Sequence, residues 1–196
     1  MKGFLLSLLL VVLLGADALA QEKMKKIFDG KSLKGWVVSQ GENEWSASKG
    51  VLFVKNNADK KGSILWTEKQ FTNYLLQADF LMGDGTVDSG FFLRGEMDQV
   101  QIGISGSLKR DMTASPYVPK KGYPVEAKGV KDLLKLKDWN TMKIRVVDKT
   151  YTVWLNGVEV MTYTSETIPD HGPIGIQLHP KNEMSISYRN IRLAEL

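Results

Sequence analysis

The stretch that decides the fold is Asp88–Ser105, DSGFFLRGEMDQVQIGIS, which reads as two strands around a short turn. Successive side chains of a strand point to opposite faces. One face of this pair is apolar and carries Phe91, Leu93, Val100, Ile102 and Ile104. The other face carries Phe92, Arg94, Gln99, Gln101 and Gly103. Such a mixed face is typical of a solvated sheet. It is also how a sugar-binding groove is built, because amide and guanidinium groups bond hydroxyls directionally and glycine leaves room for a ring.

Short strands continue in both directions from this pair. Roughly a dozen alternating segments occur, and Asn156-Gly157 between two of them is a strong hairpin signal. Helical periodicity is confined to residues 130–136. The pattern predicts an all-β, two-sheet antiparallel sandwich of the jelly-roll or lectin-like kind. No internal repeat or linker divides it, so we expect a single domain over residues 21–196.

The first 20 residues read as an export signal. Lys2 precedes an apolar run, Phe4–Leu14, and Ala18–Ala20 supplies an A-x-A cleavage pattern. The run is shorter than the roughly 20 residues that span a bilayer. We therefore expect an exported domain, periplasmic or extracellular, without a transmembrane segment. The absence of cysteine suits a bacterial envelope, and the net charge of +4 comes from scattered lysines, which does not favour nucleic-acid binding.

A long segment, residues 106–128, interrupts the rhythm of strands. It contains three prolines and no clear period. Loops beyond about 12–15 residues in compact domains are usually functional or disordered. Tyr117 and Tyr123 favour an ordered lid over a tether.

The strand near the carboxyl end repeats the pattern of the central pair. Gly175, Gln177 and His179 share one face, and Arg189 follows on the next strand. If this face joins that of Arg94, one surface collects several hydroxyl-binding groups. His179 is the candidate general base, because free imidazole titrates near ~6.5. The alternative is a surface histidine bonded beside its proline.

Other candidate sites are weaker. Glu96 and Asp98 could form a catalytic carboxylate pair, although solvated turn acids are the simpler interpretation. Asp79, Asp84 and Asp88 could hold Ca²⁺, but their spacing matches no EF-hand loop. The sequence has no nucleophile elbow, phosphate-binding loop or zinc motif. No metal ligand is assigned, and a divalent metal stays possible.

Seven motifs appear in an order that resembles the 3-keto-disaccharide hydrolase domain family. They are FDGKSLKGW (28–36), SGFFLRG (89–95), VQI (100–102), DWNT (138–141), LNG (155–157), GPIGIQ (172–177) and YRNIR (188–192). The resemblance covers nearly all of residues 21–196. It implies a concanavalin A-like jelly roll that acts on 3-keto-glycosides produced by a sugar 3-dehydrogenase.

The resemblance also implies roles for residues. His179 would abstract the C2 proton and Arg94 would stabilise the enolate, followed by elimination and addition of water. The family pattern places polar groove residues at Arg94, Gln101, Gln177, His179 and Arg189. Gln99 is a further candidate for substrate binding, and Tyr117 or Tyr123 could cover the substrate. Two positions depart from the family pattern: Gln99 replaces a common glutamate, and Ser105 replaces a common aspartate.

Two alternatives stay open. A non-catalytic carbohydrate-binding module on the same sandwich would use an exposed aromatic such as Trp36, Trp66 or Trp154. A structural envelope domain would lack any groove.

Overall fold

The computed structural model describes residues 23–41 and 44–196. The predicted signal sequence, residues 1–20, lies outside these residues. The strands are β1 (Lys25–Lys26), β2 (Trp36–Val38), β3 (Trp45–Ser48), β4 (Val51–Lys55), β5 (Ser63–Phe71), β6 (Tyr74–Gly85), β7 (Asp88–Phe92), β8 (Gln99–Gly103), β9 (Pro116–Tyr117), β10 (Asn140–Val147), β11 (Thr150–Leu155), β12 (Val158–Thr164), β13 (Gly172–Leu178) and β14 (Met184–Glu195). One short helix, α1 (Val130–Leu133), occurs within the described residues.

The strands form two antiparallel sheets, as the alternating pattern predicts. The larger sheet has eight strands, in the order β12-β11-β10-β6-β14-β4-β3, with β1 pairing β14. The smaller sheet has six strands, in the order β2-β5-β13-β7-β8-β9. The central pair of the sequence, β7 and β8, therefore lies inside the smaller sheet, beside β13.

The core fills the space between the sheets. Phe91 of β7 packs edge-on against Tyr188 of β14, with ring centroids 5.6 Å apart. Val100 and Ile176 on the neighbouring strands are fully buried in the same cluster. Since the inward faces are apolar along both sheets, the hydrophobic effect specifies which face of each strand turns inward. The intervening residues therefore face outward.

The predicted hairpin at Asn156-Gly157 joins β11 and β12. Both residues adopt positive φ, 50° and 89°, as a tight hairpin turn requires. The Asn156 side chain also accepts a hydrogen bond from the Thr141 backbone N–H (2.8 Å). This bond ties the turn to the start of β10.

The long segment 106–128 is attached to the edge of the smaller sheet. The Gln101 N–H donates to the Ser115 carbonyl (2.9 Å), and the Ala114 N–H donates to the Gln101 carbonyl (2.8 Å). Gln99 pairs with Tyr117 of β9. The segment is ordered, as its tyrosines indicate, and it extends the sheet beyond β8. The described residues contain no helix with the length and apolar character needed to cross a membrane.

Candidate functional site

A polar cluster occupies the outer face of the smaller sheet. It comprises Asp88, Gln99, Gln101, Gln177 and His179, and we call it the glutamine face. Register explains why these residues meet. Gly90 of β7 lies between Gln101 of β8 and Gln177 of β13. Because β13 and β8 flank β7, side chains nearly 80 positions apart in the chain become neighbours.

Two glutamine amides form one end of this cluster. The Gln99 side-chain N–H donates to Oε1 of Gln177 (2.7 Å). Gly90 makes this contact possible, since a Cβ there would lie 2.8 Å from the Gln99 amide nitrogen. Gln99 is only 3% exposed, whereas Gln177 is partly exposed, so a ligand hydroxyl would meet the Gln177 amide first and reach Oε1 of Gln99 only at the floor of this face.

Asp88 holds the other end together. Its Oδ1 accepts a hydrogen bond from the Gln101 amide (2.9 Å). Its Oδ2 is buried, has no hydrogen-bond partner among the described residues, and lies 3.7 Å from Nδ1 of His179. A buried carboxylate oxygen without a partner is costly, because desolvation of the charge is not compensated. This oxygen is therefore suited to a positive charge or to a donor brought by a ligand.

His179 presents a free nitrogen to solvent. Its Nδ1 lies 2.7 Å from the Pro180 carbonyl oxygen, which can only accept. In the neutral imidazole this contact requires the proton on Nδ1, which leaves Nε2 with the lone pair. The side chain is 33% exposed. Gly106 faces this ring, and a Cβ there would lie 3.1 Å from Oδ2 of Asp88 and 3.9 Å from Nε2. The absence of a side chain at residue 106 thus keeps the imidazole accessible.

Tyr117 and Tyr123 of the segment 106–128 lie beside the cluster. Their ring centroids are 5.3 Å apart, and Tyr117 pairs with Gln99. Burial raises the pKa of the Tyr123 hydroxyl to about 12, and the nearby Asp88 and Tyr117 contribute to the same direction. The hydroxyl is therefore protonated at neutral pH and can donate a hydrogen bond.

Arg94 does not join this cluster, contrary to the sequence-based expectation. It lies beside Gly172 at the start of β13, whereas His179 follows the last residue of the same strand. A strand rises roughly 3.3 Å per residue, so the two lie about 23 Å apart. The Arg94 guanidinium is buried and donates to the carbonyls of Asp148 (2.7 Å) and Pro169 (3.0 Å). Its position is that of a structural group.

Arg189 is also separated from the cluster. Its neighbour Tyr188 points between the sheets, where its hydroxyl lies 2.7 Å from Ser89 Oγ. Arg189 therefore points to the outer face of the larger sheet, on the opposite side of the molecule. There it stacks over Trp139 at 4.0 Å and contacts Asp79 at 3.3 Å. It cannot contribute to the same groove as His179.

The acidic alternatives resolve differently from expectation. Glu96 is exposed, but Asp98 is fully buried and is not a solvated turn acid. Asp98 accepts hydrogen bonds from Tyr151 (3.1 Å) and Thr167 (2.9 Å), and burial raises its pKa. The carboxylates of residues 96 and 98 are therefore not a paired catalytic site.

The three aspartates weighed as calcium ligands do not meet. Asp79 bonds Thr141 and Asn190 on the outer face of the larger sheet, whereas Asp88 lies on the glutamine face. Within residues 23–41 and 44–196, no three His, Asp or Glu side chains are grouped as metal ligands.

The glutamine face continues into two aromatic residues, of which the sequence suggested Trp66 only as a platform of a non-catalytic binding module. Trp66 and Phe92 stack with centroids 5.6 Å apart. Trp36, by contrast, is buried and donates to the Ile27 carbonyl, and Trp154 contacts Lys143 on the larger sheet. Only the register of β5, β13 and β7 brings Trp66 to the site. Strand alternation places Asp88 and Phe92 on this face in phase with Gly90, although the sequence suggested only a calcium role for Asp88 and no role for Phe92.

Solved structures place the fold among galectin-like and concanavalin A-like sandwiches. An inferred glycosyl hydrolase of Parabacteroides distasonis superposes with a TM-score of 0.66 at 21% identity, over 89% of this chain and 100% of that one. A second such protein of the same organism gives 0.61 at 17%, over 88% and 94%. A carbohydrate-binding module from Bacillus subtilis gives 0.55 at 10%, over 82% and 96%. The jelly-roll prediction is confirmed.

These features define an antiparallel β-sandwich of the jelly-roll kind with a polar outer face on its smaller sheet. The model of the 3-keto-alpha-glucoside-1,2-lyase-like domain matches residues 23–194, and the chain belongs to that family. This confirms the resemblance drawn from the seven motifs. No curated protein matches the chain.

Proposed function

We propose that this protein cleaves 3-keto-glycosides on the glutamine face, with His179 as the general base. The observation that carries the proposal is the state of this imidazole. The Nδ1 atom donates to the Pro180 carbonyl, so Nε2 is the nitrogen that can accept a proton. The unpartnered Oδ2 of Asp88 lies 3.7 Å from Nδ1. A base next to a buried negative charge gains stability once it has taken up a proton.

The chemistry follows from the ketone. A carbonyl at C3 acidifies the hydrogen on C2, and C1, which bears the glycosidic oxygen, is the carbon β to that carbonyl. Nε2 of His179 takes the C2 proton, and the electron pair enters the C3 enolate. As the enolate collapses, a C1–C2 double bond forms, the C1–O bond breaks, and the imidazolium returns its proton to the departing oxygen. Water added across the double bond gives net hydrolysis. No pair of glycosidase carboxylates is needed.

The donors that would stabilise the enolate are neutral groups. Arg94 is too distant, so this role passes to the amides of Gln101 and Gln177 and to the protonated hydroxyl of Tyr123. Preorganised donors in a partly buried site stabilise developing charge without reorganising. Gln99, bonded to Gln177, would bind substrate hydroxyls.

The proposed substrate implies a partner and a compartment. A 3-keto sugar arises from oxidation of a secondary alcohol, so a sugar 3-dehydrogenase must act first. The leader-like residues 1–20 support export to the periplasm or the exterior.

Carbohydrate binding without cleavage is the second candidate. It is favoured by Gln99, which stands where the family often has glutamate and makes a neutral amide pair with Gln177 (2.7 Å). An amide pair binds hydroxyls but transfers no proton. On this alternative, saturable binding of glycans occurs without a product.

The test is product analysis with 3-keto-disaccharides, with and without a chelator, on wild type and His179→Ala. We expect His179→Ala to lower kcat by roughly 10²–10⁴, the usual contribution of a positioned base. His171→Ala is the matched control, because His171 is exposed in a turn. Near wild-type turnover of His179→Ala would remove the base from the mechanism, and binding without any product would favour the second candidate.

A further inference from the structure

The outer face of the smaller sheet carries a second row of residues next to the glutamine face. Backbone pairing aligns one residue from each of the six strands: Val37, Trp66, Gly175, Phe92, Gln99 and Tyr117. We call this row the aromatic row. The residues that flank it along each strand, such as Leu65 and Phe91, are buried between the sheets. The row therefore faces outward, on the same side as His179.

Two aromatic rings meet in the middle of this row. Trp66 and Phe92 stack at 5.6 Å with an interplanar angle of 29°. They meet over Gly175, where a Cβ would lie 2.6 Å from the Trp66 ring. Glycine at 175 is thus what lets the indole lie down on the sheet. Phe92 is 7% exposed although it is not part of the core between the sheets, whereas Trp66 stays partly exposed.

The position of the row relative to His179 suggests its use. Gly175 precedes Gln177 by two residues and His179 by four on the same strand, which gives separations of roughly 7 and 13 Å. A sugar whose C2 reaches His179 lies over Gln177 and Gly90. A ring joined to its C1 and pointing along β13 toward Gly175 then lies over Trp66 and Phe92, which flank Gly175 on β5 and β7.

We propose that the aromatic row is a subsite for a ring-shaped leaving group, a second sugar in the first instance. This inference rests on the proposed cleavage at the glutamine face. It concerns the leaving group on C1, which the residues of the glutamine face do not contact. The apolar C–H face of a pyranose packs against an indole and removes apolar surface from water. Gln99, at the junction of the row and the glutamine face, would bond a hydroxyl of either ring.

The experiment compares two substrates that share the oxidised sugar. We measure kcat/KM for methyl 3-keto-glucoside and for a glucosyl 3-keto-glucoside, with wild type and with Trp66→Leu. In wild type the disaccharide is expected to be preferred. In Trp66→Leu the kcat/KM for the disaccharide should fall about tenfold or more, the effect expected for loss of an apolar contact of about 1–3 kcal/mol. The kcat/KM for the methyl glycoside should change little. Equal losses on both substrates would overturn the subsite.

Two controls keep the outcomes separate. Trp154→Leu removes a partly exposed tryptophan from the larger sheet and should change neither substrate. If Trp66→Leu fails to fold, Trp66→Phe should show a smaller effect in the same direction, and an unchanged preference would contradict the proposal.

Failure of the proposed function gives a different result. If wild type cleaves neither substrate, calorimetric binding of the same two sugars tests the subsite by itself. Tighter binding of the disaccharide that is lost in Trp66→Leu supports the aromatic row as a binding subsite without catalysis. Binding that does not depend on Trp66 overturns it.

Discussion

Asp88 is the residue on which the electrostatics of the glutamine face depend. One of its oxygens is bonded to Gln101, and the other is buried, unpartnered among the described residues and 3.7 Å from His179. Leaving such an oxygen unpaired costs roughly 1–3 kcal/mol, more for a charge. In the proposed reaction the imidazolium of His179 offsets that cost. A destabilised group in the resting protein thereby assists proton abstraction.

We predict that Asp88→Asn lowers kcat by about fivefold, since an ion pair without a hydrogen bond, with one partly exposed partner, is worth on the order of 1 kcal/mol. KM should change little, because the asparagine oxygen can still accept from Gln101. Asp88→Asn removes the negative charge that lies 3.7 Å from Nδ1 of His179 and would face the imidazolium formed in the reaction. Kinetics of wild type, Asp88→Asn, His179→Ala and the double variant check this. Losses that simply add in the double variant would mean that Asp88 does not act through His179.

At the scale of elements, Arg94 is a clamp between loops rather than a groove residue. It follows β7, and its guanidinium donates to the carbonyls of Asp148 and Pro169 and to the side-chain oxygen of Asn73 (3.1 Å). These acceptors belong to the β10–β11 turn, the segment before β13 and the β5–β6 turn. The pKa of Arg94 is lowered, and burial of its guanidinium is the largest cause. Three connections at one end of the sandwich are thereby held by a single side chain.

We predict that Arg94→Ala destabilises the fold by roughly 3 kcal/mol or more, because buried carbonyls lose a charged donor. The activity per folded molecule should stay close to that of wild type, since the guanidinium is remote from His179. Urea unfolding and active-fraction kinetics measure the two quantities. Arg110→Ala is the control: its pair with Glu126 is exposed, so a change within about 1 kcal/mol is expected. A stable but inactive Arg94→Ala would return this residue to the site.

At the scale of the whole molecule, the two sheets present different outer faces. The smaller sheet carries the glutamine face and the aromatic row. The larger sheet carries Arg189 over Trp139, with Asp79 beside them. Because the core separates the two faces, ligands on one side do not contact the other.

We predict that Arg189→Ala leaves kcat/KM on a 3-keto-disaccharide within about twofold of wild type. Its cost is confined to stability, about 1 kcal/mol for a partly exposed cation–π contact and ion pair. Parallel assays of Arg189→Ala and His179→Ala check the separation of the faces. A loss with Arg189→Ala comparable to that with His179→Ala would contradict it.

The fold was predictable from the sequence because strand alternation is a local property. The apolar alternation predicts which side of each strand faces the core, as at Phe91, Val100 and Ile176, and the Asn156-Gly157 pair predicts a hairpin. The same alternation predicted that Gln99 and Gln101 share one face. That Gln177 and His179 lie on the same face was a hypothesis about strand order. The pairing of β13 with β7 supports it.

By itself, then, the sequence determined the all-β class, the inward and outward sides of each strand and the family. Only the tertiary structure decided which outward residues meet. It placed Arg94 in a buried clamp at the far end of β13, Arg189 on the other sheet, and Trp66 beside Phe92. The physical reason is that alternation specifies a side chain's direction, whereas strand order and register, which depend on packing of the whole sandwich, specify its neighbours.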